Sequence, residues 1–61
     1  MYERYAELRD SKGWTDYTVA KATGITRSTF TDWKQGRSKP KIDKLAKIAR
    51  LFDVAIDTFI E

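Results

Sequence analysis

The run Thr26-Arg27-Ser28-Thr29-Phe30-Thr31-Asp32-Trp33 gathers hydrogen-bonding side chains around two large aromatics. In a helix, Phe30 and Trp33 share one face, and Arg27, Ser28, Thr29, Thr31 and Asp32 point away from them. A guanidinium, three hydroxyls and one carboxylate on an exposed face offer donors and acceptors, with no base beside a nucleophile. The chemistry open to them is recognition. Arg27 has the forked geometry that donates to guanine O6 and N7, Ser28 and Thr29 reach base edges or phosphates, and Asp32 can accept from the N4 amine of cytosine. The plain alternative is a solvated helix surface behind a Thr26 cap. Because a carboxylate repels phosphate, Asp32 either reads a base or lies at the rim.

The remaining composition narrows the chemistry further. With 61 residues the chain buries only about 60% of its unfolded surface, too little for both a core and a deep cleft. It has no histidine and no cysteine, which removes the usual general base, the thiol nucleophile, disulfides and Cys/His metal sites. Glu3 and Glu7 share a helical face, but paired surface carboxylates without a cleft are solvation rather than catalysis. We therefore expect no enzyme, no cofactor and no metal. No apolar run approaches the roughly 20 residues that span a bilayer, and Met1-Tyr2-Glu3-Arg4 has no signal-peptide character, so the expected location is cytoplasmic, without membrane association.

The net charge of +3 is unevenly placed. From Arg27 to Arg50 eight basic residues face two acids, a local balance of +6, while the rest of the chain carries −3. Leu51 to Glu61 holds three acids and no base. A basic middle of this kind fits a polyanionic partner, or else simply a set of solvated helix faces.

Five short helices must position these groups, and the whole of 1–61 reads as one domain. The first is expected over Tyr2 to Lys12, stopped by Gly13. The second has Thr15 as N-cap and Asp16 in its first turn, and ends at Gly24. The third runs from Arg27 to Lys34 or Gln35, ended by Gly36. After the loop Arg37-Ser38-Lys39-Pro40, the fourth spans Lys41 to Phe52 and ends at Asp53. The last is expected from Ile56 to Ile60. Helices this short stabilise one another rather than standing alone. The expected core is Leu8, Trp14, Val19, Ala20, Ile25, Phe30, Trp33, Ile42, Leu45, Ile48, Ala49, Phe52, Val54, Ile56 and Phe59.

Between the second and third helices, Thr23-Gly24-Ile25-Thr26 is a short glycine-containing turn, as a helix-turn-helix requires. Gly24 permits a positive φ, Ile25 plugs the corner, and Ala20 is small where the helices cross. The third helix then presents its N-terminal Arg, Ser and Thr in the manner of a helix that enters the major groove. Lys34, Arg37, Ser38 and Lys39 follow it along the sugar-phosphate backbone, where cations supply affinity and orientation. Backbone N–H groups near Lys41 add to that anion site. Lys44 and Lys47 either extend it or are solvated faces.

From Leu8 to Phe59 the sequence resembles the Cro/C1-type (XRE) helix-turn-helix family of phage repressors and bacterial regulators. The resembling segments are Leu8-Arg9, Val19-Ala20, Gly24 to Thr26, Thr29 to Trp33, Gly36 to Pro40, Leu45 to Ala49, and Phe52-Asp53-Val54 with Ile56 and Phe59. The resemblance implies an all-α, compact five-helix, lambda-repressor-like domain, usually a homodimer on a pseudo-palindromic double-stranded DNA operator. It assigns base reading to Arg27, Ser28, Thr29 and Asp32 and backbone contact to Arg37, Ser38 and Lys39.

Two positions depart from the family. Asp16 stands where a phosphate-anchoring glutamine is frequent, leaving Thr15, Tyr17 or Thr18 as substitutes, with Thr31 beside the same backbone. Lys34 stands where glutamate is frequent and adds positive charge. Leu51, Phe59 and Ile60 are candidates for the dimer interface or else complete the core. The function expected is a sequence-specific transcriptional regulator, with repression favoured. The competing expectation is a protein-interaction module on the same fold, such as an antitoxin, whose partner would be a toxin or an anti-repressor; Asp16 and Asp32 on the nominal DNA face and the acidic tail speak for it. A chain of this length leaves no room for an effector domain, so switching is expected from protein level, competition for operators or a separate partner.

Overall fold

The computed structural model describes residues 1–60; Glu61, the last acid of the tail, lies outside the described residues. Four α-helices, α1 (Tyr2–Ser11), α2 (Asp16–Thr23), α3 (Arg27–Lys34) and α4 (Ile42–Phe52), are followed by a 3-10 turn over Ile56–Phe59. The expected fifth helix is thus this single tight turn. Between the left-handed Asp53 (φ 58°) and the extended Ile60, the four residues of this turn follow an extended Ala55 and are too few for an α-helical ladder. No strand occurs among the described residues.

Local chemistry sets the boundaries. The Thr15 side chain accepts the Thr18 N–H at 3.2 Å and starts α2, as its N-cap position predicts. Gly24 ends α2 in the left-handed region at φ 79°, its N–H donating to the Ala20 carbonyl at 2.8 Å. Thr26 occupies the N-cap position of α3 without capping a backbone N–H through its side chain. Its hydroxyl pairs instead with those of Ser28 (3.2 Å) and Thr29 (2.8 Å). Lys12 and Lys41 flank α1 and α4 as cap residues rather than lying inside them.

The core is a relay of rings. Trp14 meets Phe52 (5.3 Å between centroids), Phe52 meets Tyr5 (6.1 Å), Tyr5 meets Phe30 (5.2 Å) and Phe30 meets Trp33 (4.9 Å). These contacts tie α1, α3, α4 and the segment before α2 into one body, and Val19, Ala20, Ile25, Leu45, Ile48, Ala49 and Phe59 fill the space around them. Three core expectations change. Tyr5 is fully buried, because its hydroxyl finds a carboxylate partner inside. Ile42 is 62% exposed: it continues the α4 stripe by spacing, but it lies in the first turn, ahead of Leu45, where burial begins. Leu8, Trp14, Val54 and Ile56 pack against the core half-buried. Among the described residues no helix is long and apolar enough to cross a membrane.

Candidate nucleic-acid interface

The turn between α2 and α3 is pinned from both sides. The Thr23 hydroxyl donates to the Val19 carbonyl (2.8 Å) and accepts the Ile25 N–H (3.3 Å), while Ile25 is buried at the corner. Because Phe30 and Trp33 are buried, α3 cannot rotate without breaking the ring relay, so its opposite face is held outward. On that face Arg27, Ser28 and Thr31 are exposed, and Thr29 and Asp32 are half-buried. Thr31 also back-bonds to the Arg27 carbonyl at 3.3 Å.

Beyond α3, Gly36 turns the chain, and the Arg37 N–H closes on the Asp32 carbonyl at 2.9 Å. The Arg37 guanidinium reaches the Asp32 carboxylate at 3.5 Å, with both side chains substantially solvated. Asp32 therefore stands near the C-terminal end of α3 beside a cation that offsets its charge. Lys34, Arg37, Ser38 and Lys39 are all exposed. A groove of about 360 Å³ is lined by Thr29 and Trp33 of α3 and by Ser38, Lys39, Pro40, Lys41, Asp43 and Lys44, its three lysines outnumbering the one acid. It joins the hydroxyl end of the α3 face to the lysines at the start of α4.

Asp16 is not part of this surface in the sense expected. Its carboxylate turns to α1, accepting the Tyr5 hydroxyl (2.6 Å), an Arg9 N–H (2.8 Å) and the Tyr2 hydroxyl (3.0 Å). Burial works to raise its pKa, but the hydrogen bonds from Tyr5, Arg9 and Tyr2 outweigh it and hold the carboxyl below the usual range. The same contacts move the partners. Burial, then the bond to Asp16, pushes the Tyr5 phenol up, and the bond to Asp16 pushes the Arg9 guanidinium up. Asp16 thus fastens the start of α2 to α1 instead of standing unpaired on the nominal DNA face. The sequence reading assigns Tyr2, Tyr5 and Arg9 no site or core role, although their spacing of three and four residues puts all three on one stripe of α1.

Of the positions considered as substitutes for a phosphate anchor, Thr15 and Thr18 bond each other at 3.1 Å. Tyr17 is 53% exposed. Among the dimer candidates, Phe59 is buried in the core because the 3-10 turn folds it inward. Leu51 is half-buried against the core, and Ile60 is 46% exposed.

A family model described as helix-turn-helix matches residues 6–59. The chain is 34% identical over 58 residues to the HTH-type transcriptional regulator AnsR of Bacillus subtilis (strain 168), covering 95% of this chain and 50% of that protein. It is 36% identical to the uncharacterized HTH-type transcriptional regulator YobD of the same organism, covering 93% of this chain and 52% of that one. An uncharacterized HTH-type transcriptional regulator of Archaeoglobus fulgidus is 36% identical over 61 residues, covering 98% of this chain and 87% of its own. The chain spans about half the length of the two Bacillus relatives. No solved structure matches it.

Proposed function

This chain belongs to the Cro/C1-type helix-turn-helix family, and on that premise we propose that it is a sequence-specific DNA-binding transcriptional regulator whose α3 lies in the major groove. The observation that carries the reading is the two-sided α3, anchored by Phe30 and Trp33 and presenting Arg27, Ser28 and Thr31 to solvent. Arg27, Ser28, Thr29 and Asp32 are the base-reading set. Thr15, Thr18 and Thr31 on one flank and Lys34, Arg37, Ser38 and Lys39 on the other meet the phosphates, while the Tyr17 ring lies under Arg27. One helix of eight residues reads only a few base pairs, so two copies act on half-sites about 34 Å apart, as a cytoplasmic repressor on a pseudo-palindromic operator. Exposed Ile60 supplies apolar surface that supports that pairing.

Selection of bound sequences from a random double-stranded DNA pool tests the reading. The expected result is an enriched half-site, repeated at one helical turn, with affinity that falls steeply as salt rises. A pool that stays random, with no salt-sensitive shift, would overturn it. The rival protein-interaction reading loses one of its supports with Asp16 turned inward, and it is tested by recovery of a stoichiometric protein partner.

A further inference from the structure

Tyr17 is a large ring in the first turn of α2 that takes no part in the core and is 53% exposed. Single exposed aromatics are ordinary on protein surfaces, but this one carries two cations. The Arg27 guanidinium lies 5.6 Å from the ring centroid and the Lys21 ammonium 5.9 Å. Arg27 is the first residue of α3, so its contact with Tyr17 crosses the turn from one helix to the next.

The geometry points to Tyr17 as a positioning residue that sets the base preference of α3 by holding Arg27. This inference rests on the DNA-reading function proposed above. At 5.6 Å from the centroid the guanidinium is within cation–π range of the ring, an attraction that uses no hydrogen-bond acceptor. Its N–H groups lie in its plane and remain free, and they are the forked donors that guanine O6 and N7 accept. Without the ring, a solvated arginine samples many rotamers and must be ordered when it binds. With it, Arg27 meets the groove already oriented, and the neighbouring Lys21 ammonium adds positive charge at the same ring. The phenol hydroxyl is incidental to this role, which separates it from a simple phosphate contact.

The test starts from the site selected by the wild-type protein and measures affinity for that site and for each single base-pair replacement. Tyr17→Leu is expected to lower affinity about three- to tenfold and to flatten the preference at one guanine-bearing base pair. Tyr17→Phe restores both, because the ring is retained. Tyr17→Leu combined with Arg27→Ala is expected to bind no worse than Arg27→Ala alone. Tyr17→Gln serves as a second ringless variant, and thermal unfolding confirms that both are folded. Equal losses in Tyr17→Phe and Tyr17→Leu, a uniform loss across all base pairs, or independent losses in the double variant would each overturn the inference while leaving the DNA-reading function intact. A wild-type protein that selects no sequence overturns both.

Discussion

Two acids at opposite ends of the helix-turn-helix meet arginines, and the two pairs do different work. Asp16 and Arg9 meet at 2.8 Å, with the carboxylate also holding two phenols and only 32% of its side chain exposed. Asp32 and Arg37 meet at 3.5 Å with 44% and 65% of their side chains exposed. In the first pair nearly every hydrogen-bonding position is satisfied inside the protein, which fixes the angle between α1 and α2. In the second the donors of Arg37 remain largely available to a ligand. Proximity of opposite charges therefore says little by itself; burial and satisfaction decide whether a pair builds the scaffold or belongs to the surface that the scaffold presents.

The comparison is broken most directly by removing each acid. Asp16→Ala leaves Arg9 and two phenols without their shared acceptor and is expected to destabilise the fold by about 2–4 kcal/mol in denaturant titration, with a fall in melting midpoint of at least about 10 °C. Asp32→Ala is expected to stay within about 0.5 kcal/mol of wild type. Similar losses from both would show that the two pairs are energetically alike.

Arg27→Ala comes next and moves in the opposite column. It leaves thermal stability unchanged and lowers affinity for the selected DNA site by about 1–3 kcal/mol, concentrated at one base pair. Direct titration against the selected site and its variants reads the effect.

Acid sharpens the contrast within the scaffold pair. The folded Asp16 carboxyl titrates below its unfolded value, so its contribution is fully present above the ordinary carboxylate range near pH 4 and is lost as pH falls through the lower folded value. Over that window the unfolded chain binds the extra proton, and stability drops. Asp16→Asn is expected to be less stable at neutral pH and to show a flatter acid limb in pH-dependent thermal melts.

The two regions also differed in how far they could be read before the structure. Thr15 capping α2, Gly24 turning it and Phe30 with Trp33 facing inward all follow from residues within a few positions of one another, so periodicity and cap chemistry suffice. The Asp16 cluster depends on how α1 crosses the start of α2, which no local pattern contains, and sequence alone leaves Asp16 on the nominal DNA face. Tyr5 is absent from the expected core for the same reason, since its burial requires the acceptor that only packing supplies. Ile42 and Phe59 mark the limit of spacing arguments. One lies on the right stripe but ahead of the buried part of its helix, and the other was assigned to both core and interface until the 3-10 turn placed it inside.

The smallest effect tests the surface half of the comparison where no internal bond complicates it. Lys39 is exposed in the loop after α3, beside the groove that runs toward Lys41 and Lys44. If that groove follows the sugar-phosphate backbone, Lys39 neutralises a phosphate and releases a counterion, with no base edge in reach. Lys39→Ala is then expected to weaken every DNA sequence by the same modest factor and to reduce the slope of log affinity against log salt by about 1, while the selected sequence and the melting midpoint stay unchanged. Salt titrations on matched and mismatched sites measure both quantities. A loss confined to one base pair would move Lys39 from the phosphate-binding flank to the base-reading set, and an unchanged salt slope would remove the loop from the interface altogether.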